Sequence, residues 1–175
     1  MANKIKRLRI AHKFVPKTSF ENINDLREIH NCCLSGSTFE SSNFNRLRIK
    51  HSNLQQVNLK KCRLIKAHIM HTSLNSSQLE FSSFRNGTIF RANLEDSNLQ
   101  CASFINSVIN ESSFAKADFR WANLSNSIIQ RTNFQNADFR NANLKSSKFN
   151  DCLLKGARFN HNTVLPFSHE KAINL

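Results

Sequence analysis

Between Ala117 and Leu144 the chain reads ADFRWANLSNSIIQRTNFQNADFRNANL, and a large apolar residue falls on every fifth position: Phe119, Leu124, Ile129, Phe134, Phe139 and Leu144. Two places ahead of each stands a small residue: Ala117, Ala122, Ser127, Thr132, Ala137 and Ala142. Followed outward in both directions, the same step runs without insertion from Leu34 to Phe159, and every stop is Leu, Ile or Phe. The small position persists from Cys32 and Ser37 to Ala157, with Leu47 as the clear departure. Period two would send alternate units to the wrong face, and period 3.6 would smear the apolar stripe around a helix. A five-residue unit keeps one large and one small residue on the same side only if each unit makes a short straight edge and then turns.

The number of edges per coil is written in the isoleucines. Ile49, Ile69, Ile89, Ile109 and Ile129 are twenty residues apart, Ile29 extends the series, and no Ile occupies any other large position of the repeat. Stacked coils favour like on like, because identical β-branched rotamers nest in successive layers. Twenty residues per coil is four edges, and the repeat region then makes six to seven coils in a rod of about 30 Å at the spacing of paired strands.

The stretches Ala92-Asn93-Leu94, Ala117-Asp118-Phe119, Ala122-Asn123-Leu124, Ala137-Asp138-Phe139 and Ala142-Asn143-Leu144 resemble the A-(D/N)-(L/F)-x-x signature of the pentapeptide-repeat family, over roughly residues 30–161. The resemblance implies an all-β fold, a right-handed quadrilateral β-helix with four pentapeptides per coil and the Leu/Phe and small residues inside. The expected organisation is a basic N-terminal arm or cap over 1–28, the β-helix over 29–161 and a C-terminal cap over 162–175. A solenoid needs covered ends, since each coil buries its apolar side only against a neighbour. Pro166 should end the last edge, Ser168 should cap a short helix through Ala172, and Phe20, Ile23 and Leu26 read as an opening helical turn. Leu47, overfilling a narrow interior, should mark a distorted or widened early coil.

Composition bounds the chemistry. The 175 residues carry a formal charge of +13 with 15 Phe, no Tyr, 3 Gly and 2 Pro. The first fourteen residues hold no apolar run of the length a signal peptide needs, and no stretch would span a membrane, so the expectation is a cytoplasmic protein. Five cysteines without a C-x-x-C pair fit a reducing compartment; Cys32, Cys62 and Cys152 take the small inward place, and Cys33 and Cys101 point outward. His51 and His71 should stack with His68 on the same side, but no carboxylate joins them, so no metal is expected. No Ser-His-Asp order, paired catalytic carboxylates or glycine-rich phosphate loop occurs, and no catalysis or cofactor is expected.

Charge and exposed apolar residues carry the functional reading. Residues 1–71 hold 14 Lys and Arg against 4 Asp and Glu, a net +10 of the total +13. Arg46, Arg48, Lys50, Arg63 and Lys66 should form a basic end, while Met70, Phe90, Val108 and Ile128 face outward beside the isoleucines and Phe81 and Trp121 share another column. The candidate contact residues are Arg46, Arg48, Lys50, Arg63, Lys66, Met70, Phe90 and Trp121, serving charge complementarity and apolar anchoring. The leading reading is a non-enzymatic interaction module for a macromolecule, foremost a protein with an acidic surface, with a homodimer as a further expectation. Nucleic acid or an acidic membrane is an alternative, and so is a secreted bacterial effector. The resemblance adds another, because some family members protect type II topoisomerases from quinolones or peptide toxins by imitating duplex DNA. That imitation needs an acidic rod, which a basic chain does not supply.

Overall fold

The computed structural model describes residues 8–20, 23–24 and 26–166. Eight strands stack in chain order as one parallel sheet: β1 (Leu8–Ala11), β2 (Leu26–His30), β3 (Arg48–Lys50), β4 (His68–Met70), β5 (Thr88–Phe90), β6 (Val108–Asn110), β7 (Ile128–Gln130) and β8 (Lys148–Asn150). From β2 onward each strand pairs with the residues twenty places on, as in Ile49 with Ile69 and Ile89 with Ile109. The other three sides are rows of single bridges at the same spacing, such as Thr38, Asn58, Gln78, Asn98 and Asp118. The isoleucine column is therefore the one side drawn out into a continuous ladder. β-Branched side chains favour extended backbone and pack well on a pleated surface.

The corners explain two further features of the repeat. On the three bridge sides the edge closes with an i→i+3 bond, as where the Val57 N–H donates to the Leu54 carbonyl at 3.3 Å, with Gln56 at φ +57°. Non-glycine residues occupy such left-handed corners throughout, Asn among them at 31, 86, 106, 126, 136 and 141. Each such corner costs on the order of 1 kcal/mol, least for Asn, and coil stacking offsets it. The Asn or Asp ahead of the large residue has its own task. Oδ1 of Asn53, Asn58, Asn93, Asn98, Asp118, Asn123, Asn133, Asp138 and Asn143 accepts the N–H two residues ahead at 2.9–3.2 Å. A short side-chain acceptor there satisfies a turn N–H that the ladder leaves free. After the strand side the corner is more open. Ser52, Thr72, Ser112 and Thr132 close it by donating their hydroxyls to the carbonyls of Lys50, Met70, Asn110 and Gln130 at 2.8–2.9 Å.

The large residues fill the square. Leu34 through Leu144 are buried at every fifth position, and the phenylalanines stack coil on coil, Phe84 on Phe104 at 4.8 Å and Phe119 on Phe139 at 5.0 Å between centroids. At the C-terminal mouth Phe149, Leu154, Phe159 and Leu165 line a shallow apolar hollow with Pro166.

Two expectations change. Leu47 is buried to 1% exposure, and β3 keeps an unshifted register with both neighbours, so its coil is regular. The irregularity lies one coil earlier: Leu8 pairs with Leu26 but Arg9 with Glu28, leaving Arg27 as the extra residue of a bulge. Below it the bridges step by nineteen, as in Phe14 with Cys33 and Ser19 with Thr38. Phe20, Ile23 and Leu26 do not form a helical turn. Leu26 opens β2, Phe20 stacks on Phe39 at 4.8 Å, and Ile23 packs on the core, because the large side chains continue the coil pattern downward. At the other end Asn143 pairs with Val164 rather than with residue 163, so Thr163 turns inward and Leu165 packs on the core. The helix expected from Ser168 to Ala172 lies outside the described residues.

Candidate interaction surface

The strand side presents two outer ladders, one on each flank of the buried isoleucines. One carries Glu28, Arg48, His68, Thr88, Val108, Ile128 and Lys148; the other carries His30, Lys50, Met70, Phe90, Asn110, Gln130 and Asn150. Arg46 and Lys66, one coil apart, occupy the corner leading into this side at φ +63° and +59°. Six of the eight candidate residues are thus gathered on one side and its leading edge: Arg46, Arg48, Lys50, Lys66, Met70 and Phe90. Arg46, Arg48 and Lys66 are exposed, while Lys50, Met70 and Phe90 are half-buried. Arg63 belongs to the adjoining side, in the bridge row of Asn43 and Ser83. Trp121, 52% exposed, stands at the far corner of that adjoining side, three coils beyond Lys61, in one column with Phe81 and Cys101.

Ion pairing divides the rod. Glu28, Glu40 and Glu80 are the only carboxylates between residues 26 and 90, and each is already engaged: with Arg9 at 3.1 Å, Lys61 at 4.0 Å and Lys60 at 3.3 Å. Among the described residues Arg46, Arg48, Lys50, Arg63 and Lys66 form no ion pair. Higher up, the arginines are compensated. Glu111 bridges Arg91 at 2.7 Å and Arg131 at 2.9 Å, Asp118 holds Arg120 at 2.7 Å, and Asp138 holds Arg140 at 2.7 Å and Arg158 at 3.0 Å. Hydrogen bonds from these arginines hold the Glu111 and Asp138 carboxyls below the usual carboxylate range. All five arginines from Arg91 to Arg158 are thus ion-paired, whereas in the lower coils the unpaired Arg46, Arg48, Arg63 and Lys66 are exposed.

A column of rings runs beside the free cations. His12, His30, His51 and His71 follow one another at centroid distances of 5.7, 5.9 and 5.0 Å, the last pair parallel within 7°. His71 meets Phe90 edge-on at 5.5 Å, and the Arg91 guanidinium covers the Phe90 ring at 4.9 Å. The stacking of His51 and His71 follows from the twenty-residue coil. His12 and His30 do not follow from the spacing of twenty: the nineteen-residue first coil stacks His12 under Asn31, and His30, in register with Lys50, meets His51 across two columns. His68 stands on the opposite flank of the strand side. Among the described residues no three His, Cys, Asp or Glu converge to hold a metal ion. Also among them, no helix is long and apolar enough to cross a membrane.

The arrangement defines a protein class: a parallel β-solenoid that offers flat sides and columns of side chains. Two family descriptions match it, "Pentapeptide repeat region" over residues 37–114 and "Pentapeptide repeats (8 copies)" over 117–156. The chain belongs to the pentapeptide-repeat family. No curated protein matches the sequence significantly. Among solved structures it is similar to full-length QnrB1, described as a plasmid-mediated fluoroquinolone resistance protein. The TM-score is 0.59 at 11% identity, over 87% of this chain and 94% of that one. It is also similar to HetL, involved in heterocyst differentiation regulation in the cyanobacterium Nostoc, with a TM-score of 0.33 at 17% identity over 92% of each chain. At 11% identity the similarity to QnrB1 is one of fold.

Proposed function

We propose that this protein is a non-catalytic interaction module that holds an acidic protein surface against its strand side, with Arg46, Arg48, Lys50 and Lys66 supplying charge and Met70 and Phe90 an apolar anchor. Arg63 extends the basic zone around the edge. One observation carries the reading: every carboxylate between residues 26 and 90 is matched to another cation, so that among the described residues Arg46, Arg48, Lys50, Arg63, Lys66 and the neighbouring Arg85 form no ion pair. Net positive potential without an internal partner draws in an anionic one, and a rigid flat side is suited to a macromolecule rather than a small molecule.

The test is capture of binding partners by the wild type and by the triple variant Arg46→Glu/Arg48→Glu/Lys66→Glu. The reading expects a protein retained by the wild type, lost by the variant, and released as salt rises past the range where surface charges are screened. Retention by both proteins would remove it. Gel-shift and liposome-sedimentation arms at low salt separate nucleic acid and acidic lipid from protein.

The fold shared with QnrB1 supports a second reading, protection of a topoisomerase from fluoroquinolones. The compensated carboxylates count against it, since Glu111, Asp118 and Asp138 are covered by arginines and offer no acidic side. Protection of supercoiling by stoichiometric protein in the presence of the drug would reverse this ranking.

A further inference from the structure

We propose that the histidine column His12–His30–His51–His71 links anion binding on the strand side to proton uptake, so that this protein grips its acidic partner more tightly as the pH falls. The inference rests on the reading of the strand side as an anion-binding surface and adds its regulation.

The column borders the free cations directly. Lys50 lies in the same ladder as His30, between it and Met70, and Arg48 and His68 occupy the other flank of the same two strands. His12, His51, His68 and His71 are exposed. From β1 and the residue beyond it come Arg9 and Lys13, from β2 Glu28, from β3 Arg48 and Lys50, from β4 His68, and from the end of β5 Arg91. Among the described residues the carboxylates nearest the column are committed: Glu28 to Arg9 at 3.1 Å, and Glu111, above the column, to Arg91 and Arg131. Beside the rings stand one another, Phe90, Lys50 in the adjoining ladder and Asn31 in the corner column.

Histidine is the side chain whose ordinary charge change falls between pH 5 and 8. Lys50 and the stacked pair His51 and His71, 5.0 Å apart, have no unpaired carboxylate beside them among the described residues. A bound polyanion supplies that missing countercharge. Whatever makes protonation easier in the complex makes binding stronger at low pH by the same factor, because the two equilibria are linked. The rings follow one another along the rod in two adjoining columns, so their charges gather on one edge of the strand side.

Two variants separate the histidines from the fold. Asn31 occupies the same corner column as His51 and His71 at φ +51°, against +48° and +49° for the histidines, so Asn preserves the left-handed backbone there. The fuller variant is His12→Asn/His30→Gln/His51→Asn/His71→Asn, and the milder His51→Asn/His71→Asn serves if the first is unstable. The probe is a short dextran sulfate, whose charge does not change over the range, with affinity measured at pH 8.0 and 5.5. Calorimetry at pH 6.5 in two buffers of different ionisation enthalpy counts the protons.

Wild-type protein should bind about tenfold or more tightly at pH 5.5 than at pH 8.0, with net proton uptake. The fuller variant should change by about twofold at most with little uptake, and the milder variant should fall between them. Binding that is present but equal at both pH values overturns this inference and leaves the proposed anion-binding side standing. A pH response undiminished in the fuller variant, or in the milder one if only that folds, also overturns it by assigning the protons elsewhere. Absence of binding at both pH values overturns the inference together with the reading beneath it.

Discussion

Arg140 donates from Nη2 to Oδ2 of the buried Asp138 at 2.7 Å, and its own backbone N–H donates to Oδ1 of the same carboxylate at 3.1 Å. The corner N–H that other repeats give to Asn is here satisfied by an ionised group, to which Arg158 adds a second cation from the next coil at 3.0 Å. These contacts, the Arg140 bond foremost, depress the Asp138 carboxyl below its ordinary value of 3.8. A depressed carboxylate stabilises the fold fully above its unfolded pKa and loses that contribution as pH falls through the folded value. Asp138→Asn keeps the neutral acceptor and removes the charge. With both arginines largely exposed, screening limits the loss to about 1 kcal/mol at pH 7. Urea unfolding should show the variant less stable at pH 7, with the two proteins converging below pH 4. A constant gap down to pH 2 would show that charge is not the cause.

Cys62 is fully buried with its thiol donating to the Phe39 carbonyl at 2.9 Å, and burial pushes it from 9.0 up to about 12. An acid whose folded pKa is raised stabilises the fold below the unfolded value and loses that contribution as pH climbs toward the folded one. Stability should therefore decline between pH 9 and 12, and Cys62→Ala should decline less. At pH 8 native protein should leave Cys62 unmodified by an aromatic disulfide reagent while the half-exposed Cys101 reacts. Modification of both at one rate would contradict the burial.

Leu47 fills its place without shifting the coil, so truncation should leave a cavity. Leu47→Ala is expected to cost about 2–5 kcal/mol, the range for buried leucines. Were Leu47 overpacked, the same change would be neutral or stabilising by chemical denaturation.

Trp121 is the sole tryptophan and stands on a different corner from the basic side, three coils above Lys61, roughly 15 Å along the axis. Its emission should be quenched by acrylamide, as its 52% exposure requires, and should stay unchanged when dextran sulfate occupies the lower coils. A binding-induced shift abolished by Arg46→Glu/Arg48→Glu/Lys66→Glu would show that the contact area reaches the upper rod.

The large-residue column could be read because burial in a coil of constant length is a periodic property. Ile109 and Phe119 are fully buried where the five-residue step puts them, and Arg91 with Glu111 or Lys60 with Glu80 could have been paired from the same spacing of twenty. The Asn or Asp that stands before many of the large residues, as in Asn93-Leu94 and Asp118-Phe119, was visible as a pattern, but its purpose, accepting a corner N–H, needed coordinates.

By itself the sequence determined the coil: its length, its four edges and its inner residues, all consequences of a local unit copied along the chain. Only the tertiary structure decided what breaks the period and what remains unpaired. The first coil takes nineteen residues, with Arg27 bulged where it meets β1, and the extra residue after Phe159 turns Thr163 inward. The state of each surface charge depends on how far a side chain reaches to the coil above or below, as Lys61 does to Glu40, which is a property of neighbours in space and leaves no period in the chain.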